Sequence, residues 1–270
     1  MDGPRVISVL TVNYRSSRDV AELAASLRAH REGLNVELIV ANNSPDDRVG
    51  IASDDELHVS VRDGENVGYG GGINRALRHS RGEILMAVNP DVRVTPGVLR
   101  GAADYLDANP DVGLVLPMLL YPDGTIQRSI RRFYTWPVIM YARSPVRAML
   151  PPPTFFRHHL CADIGRSKPS DVDWGIGAAM FFRRNDCEDD TLFDERFFLY
   201  FEDVDLCYRM WQRGRRVVYC PQLVCRHLHR RHSANPFGAA GWHHFQSMMK
   251  FVRKHGGLPK RPNVRIATSE

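Results

Sequence analysis

Val6-Ile-Ser-Val-Leu-Thr-Val12, followed by Asn13-Tyr-Arg-Ser-Ser17, reads as a buried strand running into a polar turn. An unbroken apolar, β-branched run of this length suits a parallel strand covered on both faces. Residues 18–30 then place Val20, Leu23, Ala24 and Leu27 at helical spacing, with Ser17 in position to cap. Val36–Val40 repeats the strand pattern and ends in the polar turn Asn42–Asp47. His58–Val61 gives a third short strand. Gly68–Gly72 reads as a glycine-rich turn before a helix over 73–80. Glu83–Val88 is a fourth strand ending at Asn89-Pro-Asp91, and Pro96 opens a helix over 96–108. Strands alternating with helices predict an α/β fold, a doubly wound and mostly parallel sheet flanked by helices. Polar loops follow strands one, two and four, where such sheets bind ligands.

Beyond residue 112 the pattern changes. Gly113–Pro117 reads as a strand, whereas 128–170 is irregular and broken by Pro137, Pro145, Pro151, Pro152 and Pro153. Its length marks an excursion over the site rather than a plain connection. Asp173–Arg183 reads as one core strand with a glycine-rich start. Phe197–Trp211 runs from an aromatic strand end into a helix, Val217–Tyr219 is a further strand, and 239–255 is an amphipathic basic helix. The expected organisation is a single domain over 1–235, with a nucleotide-sugar half at 1–112 and an acceptor and catalytic half at 113–235. A C-terminal helical segment fills 236–270.

Composition narrows the function. With 270 residues, 43% hydrophobic and 25% charged, the chain can bury a large core. Its net charge of +5 is concentrated in Arg and His clusters at 128–132, 213–216, 226–232 and 250–261, which suit phosphates. No nucleic-acid-binding motif accompanies them, so nucleic acid is not an expected partner. Five cysteines without a CxxC pair argue against zinc and for a reducing compartment. No leader-like segment is evident, and no run nears the roughly 18 apolar residues of a membrane span. A cytoplasmic location follows, with any contact at the inner membrane face peripheral.

The chemistry concentrates in a few segments. Asp91, just after a strand, is a natural ligand for a hard cation bridging a diphosphate, although a polar turn needs no metal. Phe201-Glu-Asp-Val-Asp205 brings three acids to one helix start. Glu202 and Asp203 diverge by about 100° and so should not both be buried on one face. One is suited to act as a base, although the helix dipole alone also favours acids there. Asp205 stands four residues before Arg209, at ion-pair spacing. Asn66-Val-Gly-Tyr-Gly-Gly-Gly-Ile-Asn74 offers backbone N–H groups to a phosphate or sugar, or is simply a flexible turn. His227-Leu-His-Arg-Arg-His-Ser233 can supply one metal ligand and several phosphate contacts.

Taken in order, VISVLTVNYRS at 6–16, VANNSPDD at 40–47, ENVGYGGGINRAL at 65–77, LMAVNPDV at 85–92, DWGIGAAMFFRR at 173–184, FDERFFLYFEDVDLCYRM at 193–210 and the HLHRRHS loop resemble family 2 inverting glycosyltransferases of the GT-A fold. The likeness is to their bacterial rhamnosyltransferase-type branch and covers about residues 5–256. It implies that Thr11, Asn13 and Tyr14 border the nucleotide, that Asn42 and Ser44 lie near its base, and that Asn66, Gly68, Gly70 and Asn74 line the donor pocket. It further implies that Asn89 and Asp91 form the DxD-type motif with Asp91 the metal ligand, that Gly177 and Ala178 lie under the acceptor, that Asp203 is the base with Glu202 beside it at the acceptor, and that His227 completes the metal site. The chain departs from the family pattern at Ala41, where an Asp normally meets the pyrimidine, and at Asn89, where the metal motif reads Asn-Pro-Asp. Segment 185–191 is unusually acidic.

The resemblance implies a single displacement assisted by Mg²⁺ or Mn²⁺. The donor would be a dTDP- or UDP-sugar, rhamnose by analogy, and the acceptor a polysaccharide or lipid-linked glycan. Two rival readings are a sugar-phosphate nucleotidyltransferase, which would carry glycines and a basic residue after the first strand, and a silent sugar-nucleotide-binding protein, which would lack the acid at 91 or 203. The helix at 239–255 either packs on the domain or faces an anionic membrane.

Overall fold

The computed structural model describes residues 6–228 and 239–262. The strands are β1 (Val6–Asn13), β2 (Asn35–Asn42), β3 (His58–Asp63), β4 (Ile84–Val88), β5 (Val92–Val94), β6 (Val112–Leu120), β7 (Ile126–Gln127), β8 (Ile130–Arg131), β9 (Ser170–Asp171), β10 (Trp174–Gly175), β11 (Ala179–Arg183) and β12 (Arg216–His227). The helices are α1 (Ser17–His30), α2 (Gly68–Leu77), α3 (Val98–Ala108), α4 (Trp136–Arg143), α5 (Val146–Met149), α6 (Thr154–His159), α7 (Glu202–Gln212) and α8 (Ala239–His255).

One large sheet runs β3-β2-β1-β4-β11-β6-β12-β5, with β7 beside β6 and β9 beside β12. The first four strands are mutually parallel, and β11 enters antiparallel between β4 and β6. Strand order reverses between β1 and β4, so the crevice above their C-terminal ends is where a ligand can enter. This is the doubly wound, mostly parallel α/β sheet that the alternation predicts.

Period-two alternation sorts the strand residues into two cores. Ile7, Val9, Leu38, Val40, Met86 and Val88 join α1 and α3 on one face. Leu10, Val12, Ile39, Leu85 and Ala87 join α2, α7 and α8 on the other.

Several boundaries differ from expectation. Helix α1 begins at Ser17, whose hydroxyl donates to Asp47 at 2.7 Å instead of capping the helix. Helix α3 begins at Val98, because Gly97 takes a left-handed φ of 79° after Pro96. The strand expected over 173–183 is split. Its first part, β10, pairs with β8, and its second, β11, joins the main sheet after a turn at 176–178. No strand precedes α7, since Tyr200 and Phe201 are left-handed, at φ 66° and 70°. Strand β12 runs to His227, well past Tyr219. The excursion at 128–170 folds into short helices, with Pro137 in the first turn of α4 and Pro151–Pro153 just before α6.

Helix α8 is docked by its apolar face. Phe251 and Met248 are buried in the core, and Ser247 Oγ donates to the Leu199 carbonyl. Trp242 and Met249 stay exposed. All five cysteines are unpaired thiols.

Candidate active site

The ends of β1 and β2 are tied by buried amides. Asn13 Nδ2 donates to Asn42 Oδ1 at 2.9 Å and to Asp47 Oδ2 at 3.2 Å, and its Oδ1 accepts from the Ser16 backbone N–H. Asn42 Nδ2 in turn donates to Asp63 Oδ1 at 2.7 Å, and its Oδ1 accepts from the Ser44 N–H. Thr11 Oγ1 donates to the Val88 carbonyl across the β1–β4 seam. These side chains therefore shape the crevice floor by fixing its loops, while Tyr14 stands out in solvent. Asp47 and Asp63 complete the network and were not singled out from sequence. Ala41 is fully buried in the core opposite Arg62 of β3, and the exposed Asp63, opposite Asn42, supplies a carboxylate at this end.

The glycine segment is not a turn before a helix but the helix itself. Gly68 opens α2 at φ 79°, and a Cβ there would fall 2.1 Å from the Phe198 carbonyl oxygen. At Gly70 it would meet Phe193, and at Gly72 Val12. The bare backbone is thus needed for close protein packing. Asn66 Oδ1 accepts from the Gly68 N–H and from Asn43 Nδ2 and fixes the entry to α2. Asn74, expected in the donor pocket, is fully buried below it. Its Oδ1 accepts from the Leu192 and Phe193 N–H groups and its Nδ2 donates to the Phe193 carbonyl, so it clamps that segment. Gly68→Ala combines a disfavoured φ with a backbone clash and should cost roughly 2–4 kcal/mol in thermal or urea unfolding.

Asp203 lies half-buried at the α7 start. Its Oδ2 accepts from the Gly177 N–H at 3.1 Å and its Oδ1 from the Val204 N–H at 2.8 Å. Burial raises its carboxyl to about 6, against the pull of those two N–H groups and the Arg131 guanidinium. Glu202 is deeper still, and burial together with the Asp203 charge pushes its carboxyl well above the usual carboxylate range. The two acids are withdrawn from water on different sides of the helix end rather than on one face. Gly70 of α2 packs by Glu202 and the 177 turn by Asp203. The third acid, Asp205, is fully buried and pairs with Arg209 as its spacing predicted, and also with Lys254 and His255 of α8.

Asp91 sits just before β5, and β5 pairs with the end of β12 so that Val92 faces His227. The register sets His227 Nε2 3.2 Å from Asp91 Oδ1. Gln127 Oε1 lies 2.7 Å from His227 Nδ1 and holds the ring from behind. Gln127 carries no sequence signal, as β7 is only two residues long. The remaining His229–Ser233 part of that loop, expected to contact phosphate, lies outside the described residues. Among the described residues no group of three or more His, Cys, Asp or Glu side chains gathers around one point.

The acid at 91 and the acid at 203 are joined through one strand width. The Asn89 N–H donates to the Ala178 carbonyl at 2.9 Å, and the adjoining Gly177 N–H holds Asp203. Tyr69 packs against the Gly177 turn, and its hydroxyl donates to the Gly177 carbonyl at 2.6 Å. Burial pushes this phenol far above its usual range, and the charges of Glu202, Asp203 and Asp91 add to it. The Gly177 turn, which touches both the Tyr69 ring and the Asp203 side chain, thus sits one residue from the Ala178 carbonyl that holds the Asn89 N–H. Tyr69 went unremarked in sequence, although a lone aromatic among glycines is its signal.

Comparison with known proteins agrees with this geometry. A model of glycosyl transferase family 2 matches residues 8–186. The chain belongs to that family. It is a glycosyltransferase that uses a nucleotide-sugar donor, and neither a silent binding protein nor a nucleotidyltransferase is favoured. The enzyme is similar to an N-acetylglucosaminyl-diphospho-decaprenol L-rhamnosyltransferase of Mycobacterium tuberculosis, 28% identical over 95% of this chain and 87% of that protein. A low-salt glycan biosynthesis hexosyltransferase of Haloferax volcanii is 25% identical over 79% of this chain and 64% of its own length. Among solved structures, GalNAc-T7 with UDP, GalNAc and Mn²⁺ superimposes with a TM-score of 0.64 at 11% identity, over 93% of this chain and 48% of that one. The mannosyltransferase PcManGT of Pyrobaculum calidifontis gives 0.55 at 18% identity, over 96% and 66%. The glycosyltransferase thus spans about half of the first of these structures, and both likenesses speak for a shared GT-A fold.

Proposed function

We propose that this enzyme transfers rhamnose from a nucleotide diphosphate donor, dTDP-rhamnose, to a hydroxyl of a lipid-linked or polymeric glycan, with inversion and with a divalent cation. The observation that carries the reading is the Asp91–His227 pair, linked to Asp203 through the hydrogen bonds of Asn89 to Ala178 and of Gly177 to Asp203. The sugar and acceptor classes are supported by similarity to the mycobacterial rhamnosyltransferase along nearly the whole chain.

The donor set fits a divalent cation. The carboxylate suits Mg²⁺ or Mn²⁺, and the added imidazole favours the transition ion Mn²⁺. An imidazole held at Nδ1 by Gln127 has its Nε2 turned toward Asp91, as a ligating histidine requires. When bound, the cation would neutralise charge developing on the leaving diphosphate. Asp203 takes the proton of the attacking hydroxyl, and its raised carboxyl makes it a better base than an exposed Asp. Gly177 holds that carboxylate in place, and Tyr69 fixes the 177 carbonyl beneath the acceptor. Arg131, whose guanidinium charge reaches Asp203, borders the acceptor side. One displacement with Asp203 as the base gives inverted configuration.

A panel of nucleotide sugars tested for thermal stabilisation with and without Mn²⁺ checks the reading. The expected result is stabilisation by dTDP-rhamnose that depends on Mn²⁺ and disappears in Asp91→Ala. Stabilisation by another nucleotide sugar alone would replace rhamnose, and equal stabilisation in Asp91→Ala would remove that residue from the metal site.

A further inference from the structure

The excursion over 128–170 carries a surface that transfer chemistry does not use. Of the eleven large hydrophobic side chains exposed among the described residues, six lie between Trp136 and Phe155. Met149 is 80% exposed, Met140 69%, and Trp136 and Leu150 60% each. Such clustering differs from the scattered apolar side chains of an ordinary surface. It is not a misfolded core, since Val138 and Ile139 of α4 are buried and Tyr141 packs on Phe156 of α6 at 4.8 Å between ring centroids. Those contacts hold α4 and α6 together while the opposite side chains point to solvent.

The charge of this segment is one-sided. Between Asp123 and Asp163 the sequence contains no Asp or Glu, while Arg143, Arg147 and Arg157 are exposed there. Arg143 lies over the Phe245 ring at 5.1 Å, and Phe245 neighbours the exposed Trp242 on α8, so the surface continues onto that helix. Apolar side chains interspersed with arginines and free of acids complement an anionic phospholipid interface. No helix among the described residues is long and apolar enough to cross a membrane.

We infer that α4, α5 and the start of α6 are the membrane-docking element of this enzyme, seated on the headgroups of an anionic bilayer with Met140, Met149 and Leu150 inserted and Arg143 and Arg147 on lipid phosphates. The position favours access to an acceptor held in that bilayer. Tyr134, two residues before α4, stacks on Phe201 at 5.4 Å, and Phe201 directly precedes Glu202. The docking surface therefore begins at the wall of the acceptor crevice. The inference does not depend on which sugar is moved.

Flotation of the full chain with phosphatidylcholine vesicles, with and without one quarter phosphatidylglycerol, tests it. Binding should be confined to the anionic vesicles and weaken with salt. Arg143→Gln with Arg147→Gln should lower affinity about twenty-fivefold, at about fivefold per charge. Met140→Glu with Met149→Glu should lower it at least about tenfold. Both positions are exposed, so an unchanged melting temperature and unchanged donor stabilisation are expected and separate this test from that of the transfer reading. Absence of binding to anionic vesicles at low salt, or variants that float like the wild type, would overturn the proposal. So would light scattering that shows a dimer dissolved by the Met→Glu pair, which would assign the face to a second copy of the chain.

Discussion

Asp203→Asn should lower turnover by about a thousandfold or more while leaving the fold intact. The carboxylate is the one group at the α7 start that combines a raised carboxyl with two backbone N–H groups aiming it at the crevice. Asn preserves the shape and still accepts from Gly177, but it takes no proton. In the wild type the rate should rise with pH through about 6, as Asp203 loses its proton, and this limb should be absent from the residual activity of the variant. Stability moves the opposite way. A carboxyl raised in the folded state binds its proton more tightly there than in the unfolded chain. Its contribution is therefore fully present below the unfolded value near 4 and is lost as pH rises through about 6. Asp203→Asn should thus melt higher than the wild type at pH 8 and close to it at pH 4. A stability gain with loss of turnover is the signature of a functional carboxylate rather than a structural one.

Asp205→Asn, two residues on, should do the reverse and destabilise the protein by about 3–5 kcal/mol. Asp205 is fully buried and meets Arg209 at 2.9 Å, Lys254 at 2.7 Å and His255 at 2.7 Å. Burial alone would raise its carboxyl, but these partners hold it below the usual range. Removing it leaves cations stranded in a region of low polarity and releases α8 from α7. Urea unfolding checks the loss. A parallel measurement of donor binding should change little, because Asp205 points away from the crevice, toward α8.

The contrast between these neighbours shows how much the sequence could say. The α/β class is legible because the apolar runs at 6–12, 36–40 and 84–88 are long enough to be buried on both faces and end in polar turns. The pairing of Asp205 with Arg209 was legible from spacing. Its bonds to Lys254 and His255 were not, since they depend on where a helix fifty residues later comes to rest. The glycine segment was read as a loop because propensity favours loops, whereas tertiary packing against Phe193, Val12 and Phe198 requires a helix without side chains. The family resemblance implies a place for Asn74 in the donor pocket, yet its amide is consumed by the 192–193 backbone. Tyr69 and Gln127 escaped notice because their roles arise from contacts 108 and 100 residues away. Split strands and left-handed residues at 200–201 are likewise set by the closing of the crevice, and nothing local announces them.

The most direct measurement compares donor affinity, with and without Mn²⁺, in Asp91→Ala and Asp203→Asn by calorimetry. Asp203→Asn is expected to bind dTDP-rhamnose within about threefold of the wild type and to keep its full Mn²⁺ dependence, whereas Asp91→Ala should lose the Mn²⁺-dependent part of the affinity, a loss of at least about tenfold. Equal losses in the two variants, or an Asp91→Ala protein that binds donor and Mn²⁺ as the wild type does, would contradict a crevice with the diphosphate on one side and the acceptor base on the other.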